Sequence, residues 1–108
     1  MGIERRQFPR IMVNLPARWE GVLTQQTATI TSLSQGGCFV LTGGQVESKE
    51  LIRLEIELPD VGTVYFWSEV VDSAYEIGFA ARFTSSSDED MEHLIAFLNR
   101  ELAQTQQS

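Results

Sequence analysis

The sequence predicts a small, mainly β domain that ends in one helix and whose strands form a sandwich or a small barrel. Short segments with a two-residue hydrophobic period recur along most of the chain, and turn-forming residues separate them. The hydrophobic period becomes that of an amphipathic helix only near the C-terminus. A chain of 108 residues fits one domain, so we expect a single domain over residues 1–108.

The first half of the chain predicts three strands. Residues 11–19 alternate apolar and mostly polar side chains, and Pro16 within them indicates a sheet edge or a bulge. Residues 27–32 are rich in β-branched side chains. The turn at residues 34–37 then precedes a short apolar strand at residues 38–41.

Three more strands are predicted in the second half. Residues 52–58 alternate cleanly, and the turn at residues 59–62 ends this strand. In the next strand, residues 64–70, the even-numbered side chains share one face. A sixth strand covers residues 77–83, with apolar side chains at every second position. We expect the six strands to occupy residues 11–83.

The last part of the chain predicts an amphipathic helix over residues 87–102. Ser87 is the expected N-cap, and residues 88–90 place three acidic side chains in the positive first turn of the helix. The apolar side chains that follow recur at helical spacing, so one face of the helix should cover an open part of the sheet. Residues 103–108 are predicted to form a polar, frayed tail.

The charge is unevenly distributed along the chain. The net charge is −7, which argues against binding DNA or RNA along an extended surface, because polyanion affinity needs cationic contacts. For the same reason, a barrel that binds single-stranded nucleic acid is disfavoured. Three of the eight basic residues nevertheless lie in the first ten positions, at Arg5, Arg6 and Arg10. A basic arm on an acidic body suits a compact anionic ligand.

Catalysis, metal binding and membrane insertion find no support in the residues. His93 falls near the polar side of the predicted helix, and Cys38 lies within an apolar strand, where a buried thiol is usual. No metal-ligand spacing, nucleophile motif or phosphate loop is present, so we expect no enzyme and no cofactor. No apolar run approaches the ~20 residues that cross a bilayer. One cysteine permits no internal disulfide, which favours a cytoplasmic protein.

Two segments of the chain carry the functional signal. Arg6 and Arg10 have the spacing Arg-x-x-x-Arg, and residues 32–37 read Ser-Leu-Ser-Gln-Gly-Gly. Together these segments resemble the hallmarks of the PilZ domain family, Arg-x-x-x-Arg and Asp/Asn-x-Ser-x-x-Gly. Ser34 and Gly37 fill two of the three fixed positions of the second motif, and Ser32 replaces the Asp or Asn. The resemblance implies a six-stranded antiparallel β-barrel with a C-terminal α-helix.

The resemblance also implies a ligand, since many PilZ domains are receptors for cyclic di-GMP. The ligand-binding residues that it implies are Arg5, Arg6, Arg10, Ser32, Ser34, Gly36 and Gly37. Arginine can pair with a phosphate or with the O6/N7 edge of guanine. In similar domains an arginine at the place of Arg5 accompanies an intercalated pair of ligand molecules. A hydroxyl at Ser32 lacks the ionised acceptor, which weakens binding by about 1.5–3 kcal/mol.

The expected mechanism is a change of order in the N-terminal arm, residues 1–10. Fixing about six residues costs roughly 6–12 kcal/mol of backbone entropy, which only several charge-assisted contacts together can offset. We therefore expect the arm to be flexible without ligand, to order on binding and so to regulate an unidentified protein partner. The alternative is a degenerate PilZ-like adaptor that contacts proteins and does not bind the nucleotide.

Overall fold

Six strands and one helix make up the fold in the computed structural model, which describes residues 8–22, 24–74 and 77–107. The elements are β1 (Ile11–Glu20), β2 (Gln25–Leu33), β3 (Gly37–Leu41), β4 (Leu51–Leu58), β5 (Gly62–Ala74), β6 (Gly78–Ser85) and α1 (Asp88–Gln107). The strands close into a barrel in the order β1-β2-β3-β6-β5-β4. Every neighbouring pair is antiparallel. The predicted six-stranded barrel with a C-terminal helix is confirmed.

The barrel interior holds the apolar side chains of the alternating strands. Trp19, Phe66 and Phe79 are the largest fully buried side chains. The rings of Trp19 and Phe79 meet edge to face, with centroids 5.2 Å apart. The indole Nε1 of Trp19 donates a hydrogen bond to Thr42 Oγ1 at 3.1 Å, so the polar group of this buried ring is satisfied.

Helix α1 is fixed to the barrel at its first turn and along its apolar face. The Ser87 hydroxyl accepts a hydrogen bond from the Asp90 N–H at 3.0 Å, which confirms Ser87 as the N-cap. The Asp90 carboxylate in turn accepts the Tyr65 N–H of β5 at 3.0 Å. Leu94, Phe97 and Leu98 are buried in the same core as the strands. The helix therefore covers part of the barrel, as its hydrophobic period predicts.

Several element boundaries differ from the prediction, including the end of α1 and the start of β6. The helix continues to Gln107 rather than ending at Leu102, because no glycine or proline follows Leu102 and alanine and glutamine are good helix formers. Strand β6 begins at Gly78, so Ile77 is not its first inward residue and is 55% exposed. The Ile77 N–H instead donates to the Ala74 carbonyl in the turn before β6.

Two irregularities in the strand ladders lie near Ser32. The β1–β2 register shifts between Met12 and Leu15, and the β2–β3 register shifts between Ile30 and Ser32. Such bulges turn a strand and redirect its side chains. Pro16 is not part of the shift; it pairs with β2 and lies just beyond the β1–β4 ladder, which starts at the next residue.

Candidate functional site

The described candidate residues come from three adjacent pieces of chain. Arg10 directly precedes β1, Ser32 lies near the end of β2, and the turn from β2 to β3 contains Ser34 and Gly36. Gly37 is the first residue of β3. Since β1, β2 and β3 are neighbours in the barrel, the fold brings these positions together. The predicted site residues Arg5 and Arg6 lie outside the described residues.

Arg10 and Ser32 are in direct contact. Arg10 Nη1 donates a hydrogen bond to Ser32 Oγ at 3.3 Å. Arg10 is exposed, whereas Ser32 is only 9% exposed. Ser32 pairs with Met12 on β1 and with Phe39 on β3, next to both register shifts. The two bulges therefore set which residues of β1 and β3 lie beside Ser32 and its arginine.

Ser34 uses its polar groups inside the turn. Its N–H donates to the Gly37 carbonyl at 2.8 Å, and its hydroxyl donates to the same carbonyl at 3.3 Å. The hydroxyl also accepts the Gly36 N–H at 3.2 Å, and the residue is 5% exposed. Ser34 therefore holds the turn that carries the two glycines; a direct ligand contact by Ser34 stays a prediction.

The two glycines of the turn have close protein neighbours. A Cβ at Gly37 would lie 2.2 Å from the Ala81 carbonyl oxygen of β6, and one at Gly36 would lie 3.2 Å from Cδ2 of Phe8. The resemblance implies that both glycines bind the ligand. In the structure the backbone of β6 is what excludes a side chain at Gly37, and the half-buried ring of Phe8 lies against Gly36.

A small cavity of about 70 Å³ lies between Phe8, Pro9, Gln35 and the apolar face of α1. Since one water occupies about 30 Å³ of liquid, this volume is far below that of a dinucleotide. A ligand of that size would not fit within this cavity.

Two residues beside the motif were not predicted as site residues. Phe39 lies on β3, where it pairs with Ser32 on one side and with Ala80 of β6 on the other. Arg82 of β6 pairs with Gly37 and forms an ion pair with Glu69 of β5. The sequence predicts an apolar strand at residues 38–41 in which all four side chains are apolar, so it does not distinguish the inward residues from the outward Phe39.

Cys38 borders the site, but its thiol is unreactive. Burial raises the pKa of its thiol to about 12, and the charge of Arg10 acts in the opposite direction without outweighing burial. A neutral, buried thiol is neither nucleophilic nor a metal ligand.

Among residues 8–22, 24–74 and 77–107, no group of three or more His, Cys, Asp or Glu side chains is placed to hold a metal ion. Within the same ranges no helix has the length and apolar character for spanning a membrane.

Comparison with known proteins gives a match that covers most of the chain. The family model described as PilZ domain matches residues 4–100. No curated protein matches the sequence.

Solved structures share the fold at low sequence identity. The Bacillus subtilis inhibitor of motility, MotI/DgrA, superposes with a TM-score of 0.77 at 22% identity, covering 94% of this chain and 53% of that one. YcgR from Escherichia coli, in complex with c-di-GMP, gives 0.73 at 17% identity, covering 97% and 50%. The PilZ domain of YcgR with c-di-GMP gives 0.71 at 17% identity, covering 97% and 99%. This chain thus spans about half the length of the first two proteins.

Proposed function

The chain belongs to the PilZ domain family, and from this membership we propose that it is a cyclic di-GMP receptor that regulates a protein partner and is not an enzyme. The observation that carries the proposal is the contact between Arg10 and Ser32. It joins one position of the arginine motif to one position of the serine–glycine motif. The two halves of the sequence signature therefore share one surface, as a single ligand site requires.

The chemistry of that surface suits a small dianion with flat bases. Arg10 is exposed and holds Ser32 by a hydrogen bond to a neutral hydroxyl, so it can exchange this partner for a phosphate or a guanine edge at small cost. Arg5 and Arg6 precede it by a few residues and would add two further guanidinium groups. Confinement of these cations to one arm favours a compact anion over an extended nucleic acid.

The proposed output is an ordering of residues 1–10. Contacts of several arginines with one ligand would fix the arm against the barrel and change the surface that a protein partner meets. Arg5, directly before the motif, supports binding of two intercalated ligand molecules. We place this function in the cytoplasm and expect no DNA or RNA partner and no cofactor.

A second candidate function is supported by one departure from the family motif. Ser32 offers a single hydroxyl where the family has Asp or Asn, and that hydroxyl already accepts from Arg10. A domain that has lost the ionised acceptor could serve as a protein adaptor that does not bind the nucleotide. The intact Arg-x-x-x-Arg spacing of Arg6 and Arg10, with an exposed Arg10, favours the receptor.

Calorimetric titration of the whole chain with cyclic di-GMP separates the two functions. We expect saturable binding of cyclic di-GMP, with a stoichiometry of two ligands per chain for an intercalated pair. GMP, which lacks the cyclic backbone, and cyclic di-AMP, which lacks the O6 acceptor, should bind much more weakly. If cyclic di-GMP gives neither heat nor saturation, the receptor function is contradicted and the adaptor function remains.

A further inference from the structure

Phe39 is an aromatic residue that the barrel core does not use. Its neighbours along β3, Cys38 and Val40, both point into the core, so the alternation of a strand turns Phe39 to the outer face. Phe39 is half-buried and is absent both from the buried core and from the partly buried apolar side chains that pack against it. An explanation other than core packing is therefore needed for a phenyl ring at this position.

The residues around Phe39 on the outer face are small. Ser32 faces it across β2 and Ala80 faces it across β6. Gly37, two positions earlier on the same strand, has no side chain to place beside it. Three of its neighbours thus contribute a hydroxymethyl, a methyl and a hydrogen. Small side chains therefore border the Phe39 ring, and we call the surface formed by these four residues the Phe39 basin.

Two cations flank the Phe39 basin. Arg10 lies on its β2 side, because it is hydrogen-bonded to Ser32. Arg82 lies on its β6 side, because it pairs with Gly37, and its side chain is 58% exposed although it is ion-paired with Glu69. An aromatic ring between two guanidinium groups matches a ligand that has a flat base and a phosphate.

We propose that Phe39 is the stacking surface for one guanine base of the bound dinucleotide, an inference that rests on the proposed function and identifies how its base is held. The guanine lies against the ring in the Phe39 basin, while Arg10 contacts phosphate or the base edge. Stacking on a phenyl ring is sequence-tolerant, because every base has a π-face. Phe39 therefore supplies affinity for a purine, and the arginine supplies the choice of guanine over adenine.

Titration of cyclic di-GMP into the Phe39→Leu variant tests this assignment. Leucine keeps an apolar side chain on the outer face but removes the ring, so we expect affinity to fall about fivefold to 150-fold. Phe39→Tyr keeps the ring and should retain most of the affinity. The matched control is Leu41→Ala, on the same outer face two positions further along β3, which should bind as the unsubstituted chain does.

A second variant tests the same assignment in case the Phe39→Leu chain does not fold. Ala80→Leu keeps Phe39 but puts a bulky side chain across the basin, and we expect it to weaken binding as well. Stacking also lowers the ultraviolet absorbance of guanine. At saturation this hypochromic change should be smaller with Phe39→Leu than with Phe39→Tyr, because guanines that stack on one another in an intercalated pair contribute equally in both variants. A merely structural role for Phe39 would not produce that pattern.

The outcomes separate this inference from the proposed function. Suppose that the unsubstituted chain binds cyclic di-GMP and that folded Phe39→Leu and Ala80→Leu chains bind it equally well. The stacking assignment is then wrong, while the receptor function stands. If the unsubstituted chain does not bind, both are wrong. Reduced affinity with a smaller hypochromic change in Phe39→Leu, and recovery of both in Phe39→Tyr, supports the assignment.

Discussion

Arg10 donates a hydrogen bond from Nη1 to Ser32 Oγ at 3.3 Å across a sequence separation of 22 residues. This bond ties the end of the N-terminal arm to the outer face of β2. It joins a charged donor to a neutral acceptor, so it is weaker than the ion pair that an Asp would form with the same arginine. Arg10 is consequently held near the site and remains available to an anionic ligand.

Replacing Arg10 with alanine should weaken cyclic di-GMP binding by at least about tenfold to hundredfold, since a charge-assisted contact contributes about 1.5–3 kcal/mol. Arg6→Ala should behave similarly. Arg10 is exposed, so the melting temperature should hardly change. Arg18→Ala removes the same charge from an exposed position on β1 and serves as the calorimetric control. Wild-type affinity in both Arg6→Ala and Arg10→Ala would show that the arginine site is misassigned.

Ser32→Asp should tighten cyclic di-GMP binding by about tenfold to hundredfold, because it restores an ionised acceptor for the guanine edge. Thr29→Asp adds the same charge to β2 three residues earlier and controls for repulsion by the acidic body. Both affinities can be compared by calorimetry. A loss of affinity in a folded Ser32→Asp chain, with Thr29→Asp unchanged, would mean that the hydroxyl has a role of its own.

Cyclic di-GMP should slow amide hydrogen exchange in residues 1–10 and at the turn of residues 32–37. The arm offers only Ile3 and Phe8 as apolar anchors beyond its first residue, and its cationic groups repel one another until an anion binds. Exchange in α1 should change little and provides an internal reference. Equal protection of the arm with and without ligand would contradict the ordering mechanism, even if the nucleotide binds.

Gly37→Ala should destabilise the barrel by about 1–3 kcal/mol, because the new Cβ would lie 2.2 Å from the Ala81 carbonyl oxygen and β3 and β6 would have to separate. Gly43→Ala is the matched control, since a Cβ at Gly43 meets nothing within 4 Å. Urea unfolding of the two variants measures the difference. Equal free energies of unfolding would show that β6 is not what requires a glycine at position 37.

Because of Cys38, the free energy of unfolding should fall as the pH becomes alkaline. Burial raises the pKa of the folded thiol from 9.0 to about 12, so between these values the unfolded chain has lost a proton that the folded chain keeps. The contribution of Cys38 is complete below pH 9.0 and declines above it by about 1.4 kcal/mol per pH unit. Urea unfolding at about pH 8 and about pH 10 measures this decline. The Cys38→Ala chain should lack this part of the decline, and identical declines in the two chains would contradict the assignment.

Much of the fold follows from local sequence pattern. A two-residue hydrophobic period is a property of a few consecutive residues, so each of the six strands could be recognised without its neighbours. The helical period after Ser87 was equally clear. Boundaries were less secure, because the end of α1 at Gln107 and the start of β6 at Gly78 depend on hydrogen bonds that the period does not encode.

Local sequence pattern specifies the elements, the basic arm and the two motifs of the candidate site. Which of these residues are in contact depends on how distant strands pair in the barrel. Two bulges set the register that places Ser32 between Met12 and Phe39, and the close approach of β6 explains Gly37. Register depends on hydrogen bonds between residues far apart in the chain, and a shift of one residue moves every side chain of a strand to the other face. The outward position of Phe39 therefore became visible only in the closed barrel.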